Sequence, residues 1–560
     1  MVKISKVSAL GSAVVLAGGS ASALLLALTA APGGATTTLT IDSLDDGAAV
    51  AADCTTPVID SCSLRDALAA AASGDAIVFK SGLAGTITLT DGELEVNTGL
   101  TLTGAGSAVI TVDADGGAGV FYIPDSVVGD VTISGLTITG SVGENALSAY
   151  NVGDLALIEV NVSGNASGGE YGGGLYIANV GAFMLTNSSV SNNTTDENGG
   201  GVYICNDPTS VTITNTTIAD NTAGGSGGGI FADVPGDLTI IDSNITGNTA
   251  NGGGGGLYAN NDGDLTITDS TMLNNTSGNS GGGGAAWVTN GGSATISGST
   301  FSGNSTGSWG GAFYFGTGGQ EIAISNSLFN DNSSTSGGGA LDFDANNLIV
   351  TINNTTFTGN SSDLDGGGIW KDDGGSLTIN QSTITENTAS TNAGGIYIAN
   401  GASSSLVLSG TIVSNNTVTG LGPRALPADF SGGTDISMDW VDGDVLTLDH
   451  SLVGIISDNA ESEITDLGGN VRSSTPGLSA LADNGGLTQT MALLSTSAAV
   501  DAGPSPVATF VGNEFDQRGT PYVRIYNGQV DIGAYEIQPA PAPTTTTTAT
   551  SEPVTPKFAG

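Results

Sequence analysis

The middle of the chain repeats itself. Glycine runs end just before an apolar residue at Gly174, Gly201, Gly229, Gly256, Gly284, Gly311, Gly339, Gly368 and Gly395, at intervals of 27–29 residues. A second landmark keeps the same period independently: Asn165, Asn193, Asn221, Asn248, Asn275, Asn304, Asn332, Asn360, Asn387 and Asn416. One unit of this length cannot bury its own apolar face, so successive units must stack. Inside each unit the pattern is Val211-x-Ile213-x-Asn215-Thr216-x-Ile218-x-x-Asn221, and again Leu377-x-Ile379-x-Gln381-Ser382-x-Ile384-x-x-Asn387. Apolar residues two apart, broken by polar corners, predict short strands rather than helix.

The expected fold is all-β: a right-handed parallel β-helix with three short strands per coil of 27–28 residues, and inward columns of Leu, Ile, Val and Phe. Nine intervals from Asn165 to Asn416, at ~4.8 Å per coil, give roughly 43 Å of stack. The Asn column reads as a turn ladder, its amides bonding along the axis at a corner whose left-handed backbone Asn tolerates. Its many Asn-x-Ser/Thr sequons follow from the turn composition. Val131-x-Ile133 begins an earlier coil and Leu446-x-Leu448 a later one. The single histidine, His450, falls in the turn column of Asn187, Asn215, Asp242 and Asp269.

Charge excludes one class of partner. The 560 residues include 54 acidic and only 10 basic ones, a net charge of −44, and neutralising phosphates takes Lys and Arg, so no nucleic-acid role is expected. Lys3 and Lys6 precede an apolar stretch at 7–28 and small residues at 29–35, the form of a cleaved signal peptide. Residues 539–560, rich in Pro and Thr, predict an extended stalk. Cys54 and Cys62 are close enough to pair across a short loop, as suits an oxidising compartment, and Cys205 reads as a buried small hydrophobe. One His and no C-x-x-C pair argue against zinc.

Several patterns invite a chemical reading. G-x-S-x-G occurs at Ser226, Ser280 and Ser305, but in glycine corners without a strand–turn–helix context or a nearby His. The β-helix fold hosts lyases and hydrolases of polysaccharides, yet residues 131–416 contain one cation, Lys371, where enzymes on acidic glycans need Arg or Lys. A hydrolase of neutral glycans needs only two carboxylates, for which the candidates are Asp342, Asp344 and Asp373, beside Lys371 and Asp372. The same patch is the one place for a weak calcium site; no other metal or cofactor is expected. Two residues past each glycine run stand Tyr176, Tyr203, Phe231, Tyr258, Ala286, Phe313, Leu341, Trp370 and Tyr397, a mostly aromatic column that is core or half-buried by expectation and offers ring faces to a sugar if it points outward. Residues 420–444 lengthen one coil by about 12 and bring Arg424, Phe430, Asp439, Trp440, Asp442 and Asp444, expected as an irregular recognition loop.

Two terminal segments resemble a known family. Cys62-Ser63-Leu64-Arg65-Asp66-Ala67-Leu68, followed by Gly74-Asp75-Ala76-Ile77-Val78-Phe79, resembles the Cys-Ser-Leu-Arg-Glu-Ala-type N-terminal cap of exported bacterial pectin-lyase-like β-helix proteins. Asp66 stands where that family usually has Glu. The segment reads as a short amphipathic helix over the open first coil. Leu481-Ala482-Asp483-Asn484-Gly485-Gly486, Ala499-Val500-Asp501-Ala502-Gly503, Asp516-Gln517-Arg518-Gly519 and Asp531-Ile532-Gly533-Ala534-Tyr535-Glu536 resemble the choice-of-anchor Q region that precedes surface-sorting signals, with Met491 where that family commonly has His. The middle repeats are similar to polymorphic outer membrane protein repeats.

The resemblance implies an exported, surface-associated protein, monomeric, adhesive or structural, contacting glycans or cell-surface proteins through one solenoid face; the alternative is a polysaccharide hydrolase or lyase. The binding residues expected are Tyr176, Tyr203, Phe231, Tyr258, Phe313, Trp370, Tyr397 and Trp440. The expected layout is a signal region at 1–35, a cap at 36–85, the β-helix at 86–538 (regular repeats 150–416, a choice-of-anchor Q-like region 465–538) and the stalk at 539–560. After signal cleavage no transmembrane segment is expected.

Overall fold

A computed structural model describes residues 37–55, 61–206, 208–289, 291–316, 321–372, 374–399, 404–420, 434–439, 444–457 and 464–539. The expected signal region and stalk, together with Asp373, Arg424, Phe430, Trp440 and Asp442, lie outside the described residues. Among the described residues no helix is long and apolar enough to cross a membrane.

One coil shows how the repeat folds. Strand Val202–Cys205 is followed by Ser210–Thr214, then Thr217–Ala219, then the two-residue strand Thr222–Ala223, before the next glycine corner. Each strand pairs in parallel with its counterparts one coil away, building sheets of 13, 16, 15 and 9 strands. The fourth sheet, of two-residue strands from Thr194–Thr195 to Thr417–Val418, is an addition to the expected three per coil. It arises because Thr, Ser and Ala following each ladder Asn continue the chain in extended form. Inside, register stacks like on like: Phe301, Phe329 and Phe357 lie with ring centroids 4.8 and 4.7 Å apart, all fully buried.

Each corner has its own solution. At the Asn ladder, every side-chain Nδ2 donates to the Oδ1 of the next Asn, from Asn165 onto Asn193 (2.9 Å) to Asn387 onto Asn416 (2.9 Å), and the row ends on Asp435, whose Oδ1 accepts from Asn416 Nδ2 (2.9 Å). The backbone N–H of each member donates to that same oxygen. The left-handed residue, however, is the one before each ladder Asn, as at Asn192, Asp220, Asn274 and Asp331. Two adjacent columns thus share the work expected of one. At the preceding corner Asn187, Asn215, Asp242, Asp269 and His450 all have positive φ, and His450 is the turn residue its column implied. Behind them runs a buried hydroxyl ladder in which the backbone N–H of Thr216 donates to Ser243 Oγ and that of Ser243 to Ser270 Oγ, both at 3.1 Å. At the third corner a methyl on the middle glycine, Gly200, would stand 2.6 Å from the Thr222 carbonyl carbon in the next coil, so bare backbone is required there.

Both ends of the stack are covered differently from its body. Helix Leu64–Ala70 begins in a capping box in which Ser63 and Asp66 bond each other's backbone N–H, and it buries Leu64, Ala67 and Leu68. Arg65 pairs with Asp46 (2.8 Å) and donates to the carbonyls of Gly92 and Glu93, tying the cap to the first coils. Cys54 and Cys62 are disulfide-bonded, and Cys205 is a buried free thiol. At the other end Ile464–Asp466 and Val471–Arg472 are the last strands of their sheets. The chain then leaves the stack, so the β-helix stops short of the expected 538. Hairpin Leu478–Ala482 and Thr490–Leu493 and the turns to 538 lie along the flank of coils already built. Gln517 Nε2 donates to the carbonyl of Ser327 (3.1 Å), the buried Arg524 to Asn354 Oδ1 (2.8 Å), and the Ala534 N–H to Thr383 Oγ1 (3.1 Å). Ile412, Leu452, Leu493, Ala499 and Ile532 form a separate apolar cluster beneath this flap.

Of the expected loop at 420–444, residues 421–433 and 440–443 lie outside the described residues. Within it, Ile436–Met438 is a regular strand that pairs with Ile396–Ile398, just after the ladder-ending Asp435.

Candidate functional site

The outward column of the 13-stranded sheet is defined by register: Tyr122, Ser148, Tyr176, Tyr203, Phe231, Tyr258, Trp287, Tyr314, Asp342, Trp370, Tyr397 and Ser437 are consecutive partners. Strand alternation sets the direction, since neighbours such as Leu175 and Ile177 fill the core while Tyr176 between them does not. The rings are half-buried or just covered, lying against one another along the axis. Tyr176 and Tyr203 stack at 5.4 Å, Tyr203 and Phe231 at 5.0 Å, and Phe231 and Tyr258 at 4.6 Å; Trp287 then meets both Tyr258 and Tyr314 edge-on. Tyr150, two residues past Ser148, bridges Tyr122 and Tyr176, and Tyr171 stacks on Tyr203 at 4.8 Å.

Six of the expected binding residues, Tyr176, Tyr203, Phe231, Tyr258, Trp370 and Tyr397, share this column. Phe313 does not: it is fully buried and pairs with Ala286 and Leu341 in the inward column. The cause is a slip in the marker. In three successive coils Ala285, Ala312 and Ala340 occupy the place of the last glycine, so counting two residues past that glycine lands on the core residue. Counting instead from the left-handed Gly283, Gly310 and Gly338 selects Trp287, Tyr314 and Asp342.

Carboxylates stand at both ends of the ring column. At the first end a cavity of about 330 Å³ is lined by Glu93, Tyr122, Glu144, Asn145, Ser148, Tyr150 and Glu170. Burial, then a hydrogen bond with and the charge of Glu144, push the Glu93 carboxyl up to about 7. Isolated acids in coils with no visible period left this cavity invisible in the sequence.

At the far end Asp342 takes a ring position between Tyr314 and Trp370. Its side chain is fully buried and both its oxygens lack a hydrogen-bond partner. Burial first, then the charges of Asp344 and Asp372, hold its carboxyl well above the usual range. Asp344 and Asp372 follow each other one coil apart beside the ring column, since their N–H groups donate to Phe315 and Phe343 carbonyls at 3.0 Å. Tyr314 donates to Asp344 (2.7 Å) and Tyr397 to Asp439 (2.6 Å). Trp309, from the coil of Tyr314, stacks on Trp370 two coils on at 4.4 Å, bridging the coil of Asp342; Gly337 in that coil leaves the room, as a methyl there would lie 2.8 Å from the Trp309 ring. Lys371, expected beside these acids, is turned inward between Phe343 and Ile398, with Nζ donating to the carbonyls of Asp372 and Gly374. Among the described residues no three or more His, Cys, Asp or Glu side chains are arranged to hold a metal ion.

Residues 98–255 and 255–423 match the family described as right handed beta helix region. No curated protein matches the chain. Among solved structures, a crystal structure of pectate lyase Pel9A is 15% identical with a TM-score of 0.30, covering 90% of this chain and 98% of that one. The Agl-KA catalytic domain is 14% identical with a TM-score of 0.28, covering 71% and 62%. The catalytic domain of a GH87 alpha-1,3-glucanase in complex with tetrasaccharides is 13% identical with a TM-score of 0.21, covering 79% and 70%.

Proposed function

The chain belongs to the right handed beta helix region family, and from that premise we propose that it is an exported, surface-associated β-helix protein, monomeric, that contacts glycans through the ring-bearing face of its 13-stranded sheet. The observation that carries this reading is the outward column from Tyr122 to Tyr397. The half-buried rings of this column form one continuous apolar strip whose exposed edges a sugar chain can lie against. The disulfide between Cys54 and Cys62 and the leader-like residues 1–35 support export. The test is retention of the full chain on a panel of insoluble polysaccharides. The reading expects retention on particular members, lost when Tyr258 and Trp287 are both replaced by Ala. Retention that survives that double substitution would overturn it.

A second reading, polysaccharide hydrolysis, is favoured by one observation: the buried, unpartnered carboxyl of Asp342, held well above the usual range, lies near the acids Asp344 and Asp372. A carboxyl raised by its surroundings beside a second carboxyl is the pairing such cleavage uses. Oligosaccharide released from any panel member, and abolished by Asp344→Ala, would establish this reading over the first.

A further inference from the structure

The rings at both ends of the column share their surroundings with carboxylates. Glu93, Glu144 and Glu170 line a cavity with Tyr122 and Tyr150, and Asp342, Asp344, Asp372 and Asp439 lie among Tyr314, Trp370 and Tyr397. No cation opposes them from the coils between, because the single Lys of residues 131–416 is turned into the core and bonded to carbonyls. Ring faces attract cations through their quadrupole, and carboxylates attract them by charge. At Asp342 the demand is explicit. A fully buried carboxyl with two unpartnered oxygens, beside the unpartnered indole N–H of Trp370, is a costly arrangement for a folded chain unless something arrives to bond it. The Trp309 ring, stacked on Trp370, spans that coil, and Asp342 is fully buried, so the ligand must move that ring aside to reach the carboxyl.

Resting on the glycan-contact reading, we propose that the preferred ligand is a linear glycan bearing free amino groups, with one ammonium seated between Asp342 and the Trp309–Trp370 pair and another in the Glu93–Glu144–Glu170 cavity. Eight register steps separate Tyr122 from Asp342, roughly 38 Å at ~4.8 Å per coil. A ligand that engages both sites must therefore be an extended polymer lying along the axis, and the ring edges between supply apolar contact along the same line. A neutral glycan gains only that apolar contact; an aminated one gains charge at both ends as well.

The experiment compares two probes on the full chain by titration calorimetry: a decamer of glucosamine, with free amines and long enough to reach from the Glu93 cavity to Asp342, and a decamer of N-acetylglucosamine, which matches it in length and is neutral. The expected result is at least about tenfold tighter binding of the amine form, weakening as salt screens the charges. Asp342→Asn, near in shape to a neutral carboxyl, lowers the ratio of the two affinities towards one. Glu93→Gln, at the other end of the column, does the same independently, so a fold defect at Asp342 does not decide the matter. Equal or tighter binding of the acetylated decamer overturns the amine preference and leaves the glycan-contact reading standing. Binding of neither decamer, with binding of polylysine, overturns both in favour of a basic protein partner.

Discussion

Asn304 shows how much one side chain of the ladder holds. Its Nδ2 donates to Asn332 Oδ1 and to the Met272 carbonyl, both at 2.9 Å, while its Oδ1 accepts the backbone and side-chain N–H groups of Asn275 at 3.0 Å each. Asn304→Ala strands buried groups on two neighbouring coils, each costing about 1–3 kcal/mol. The expected loss is about 3–5 kcal/mol, read from urea midpoints against the parent. The same burial explains the sequons: Asn193, Asn275, Asn304, Asn332 and Asn360 are fully buried with Nδ2 engaged, so the folded chain presents none of these amides to a glycosylating enzyme. Asp435 ends the row because it can only accept when ionised, and the ladder arrives with donors.

At the scale of the coil, the middle glycine of each third corner is the least replaceable residue. A methyl on Gly311 would lie 2.6 Å from the Ser333 backbone nitrogen in the next coil, whereas one on Gly47 meets nothing within 4 Å. Gly311→Ala is therefore expected to cost about 2–4 kcal/mol and Gly47→Ala under about 0.5, measured as paired thermal or urea midpoints. Equal costs would contradict the stacking geometry. This is also the scale at which the sequence was most readable. Two markers in phase gave the coil length, the inward columns and the turn place of His450. They missed Trp287, Tyr314 and the seat of Asp342 because Ala285, Ala312 and Ala340 shift the visible end of the glycine run without shifting the register. They missed the flap at 478–538 because its bonds, such as Gln517 to Ser327, join residues 190 apart and carry no period.

For the molecule entire, acids with raised pKa set the response to pH. Burial pushes Asp435 up to about 6 and Glu536 up to about 8; burial and Glu144 take Glu93 to about 7, and burial and its acid neighbours hold Asp342 well above the usual carboxylate range. A carboxyl raised above its unfolded value contributes stability that is complete below that unfolded value and is lost as pH rises through the folded one. Asp46, lowered despite its burial by hydrogen bonds from Arg65, Thr90 and Asp91, acts in the opposite sense but only below about pH 4. Repulsion within a chain of net charge −44 adds to the loss on the alkaline side. The urea midpoint is expected to fall between pH 5 and pH 8.5, and a midpoint that holds or rises would show that these groups ionise without cost.

The side-chain ladder has a consequence for how such a molecule changes size. Within the ladder each interior Asn bonds the Asn one coil before it and the Asn one coil after it, giving hydrogen to the C-terminal neighbour and taking it from the other. Removing or doubling one whole repeat therefore hands the same bond to the next in line, while any fractional change breaks the row. Length is quantised in graduations of ~4.8 Å, and the ring column, cut to the same graduations, becomes a ruler whose reading is the number of repeats in the gene product.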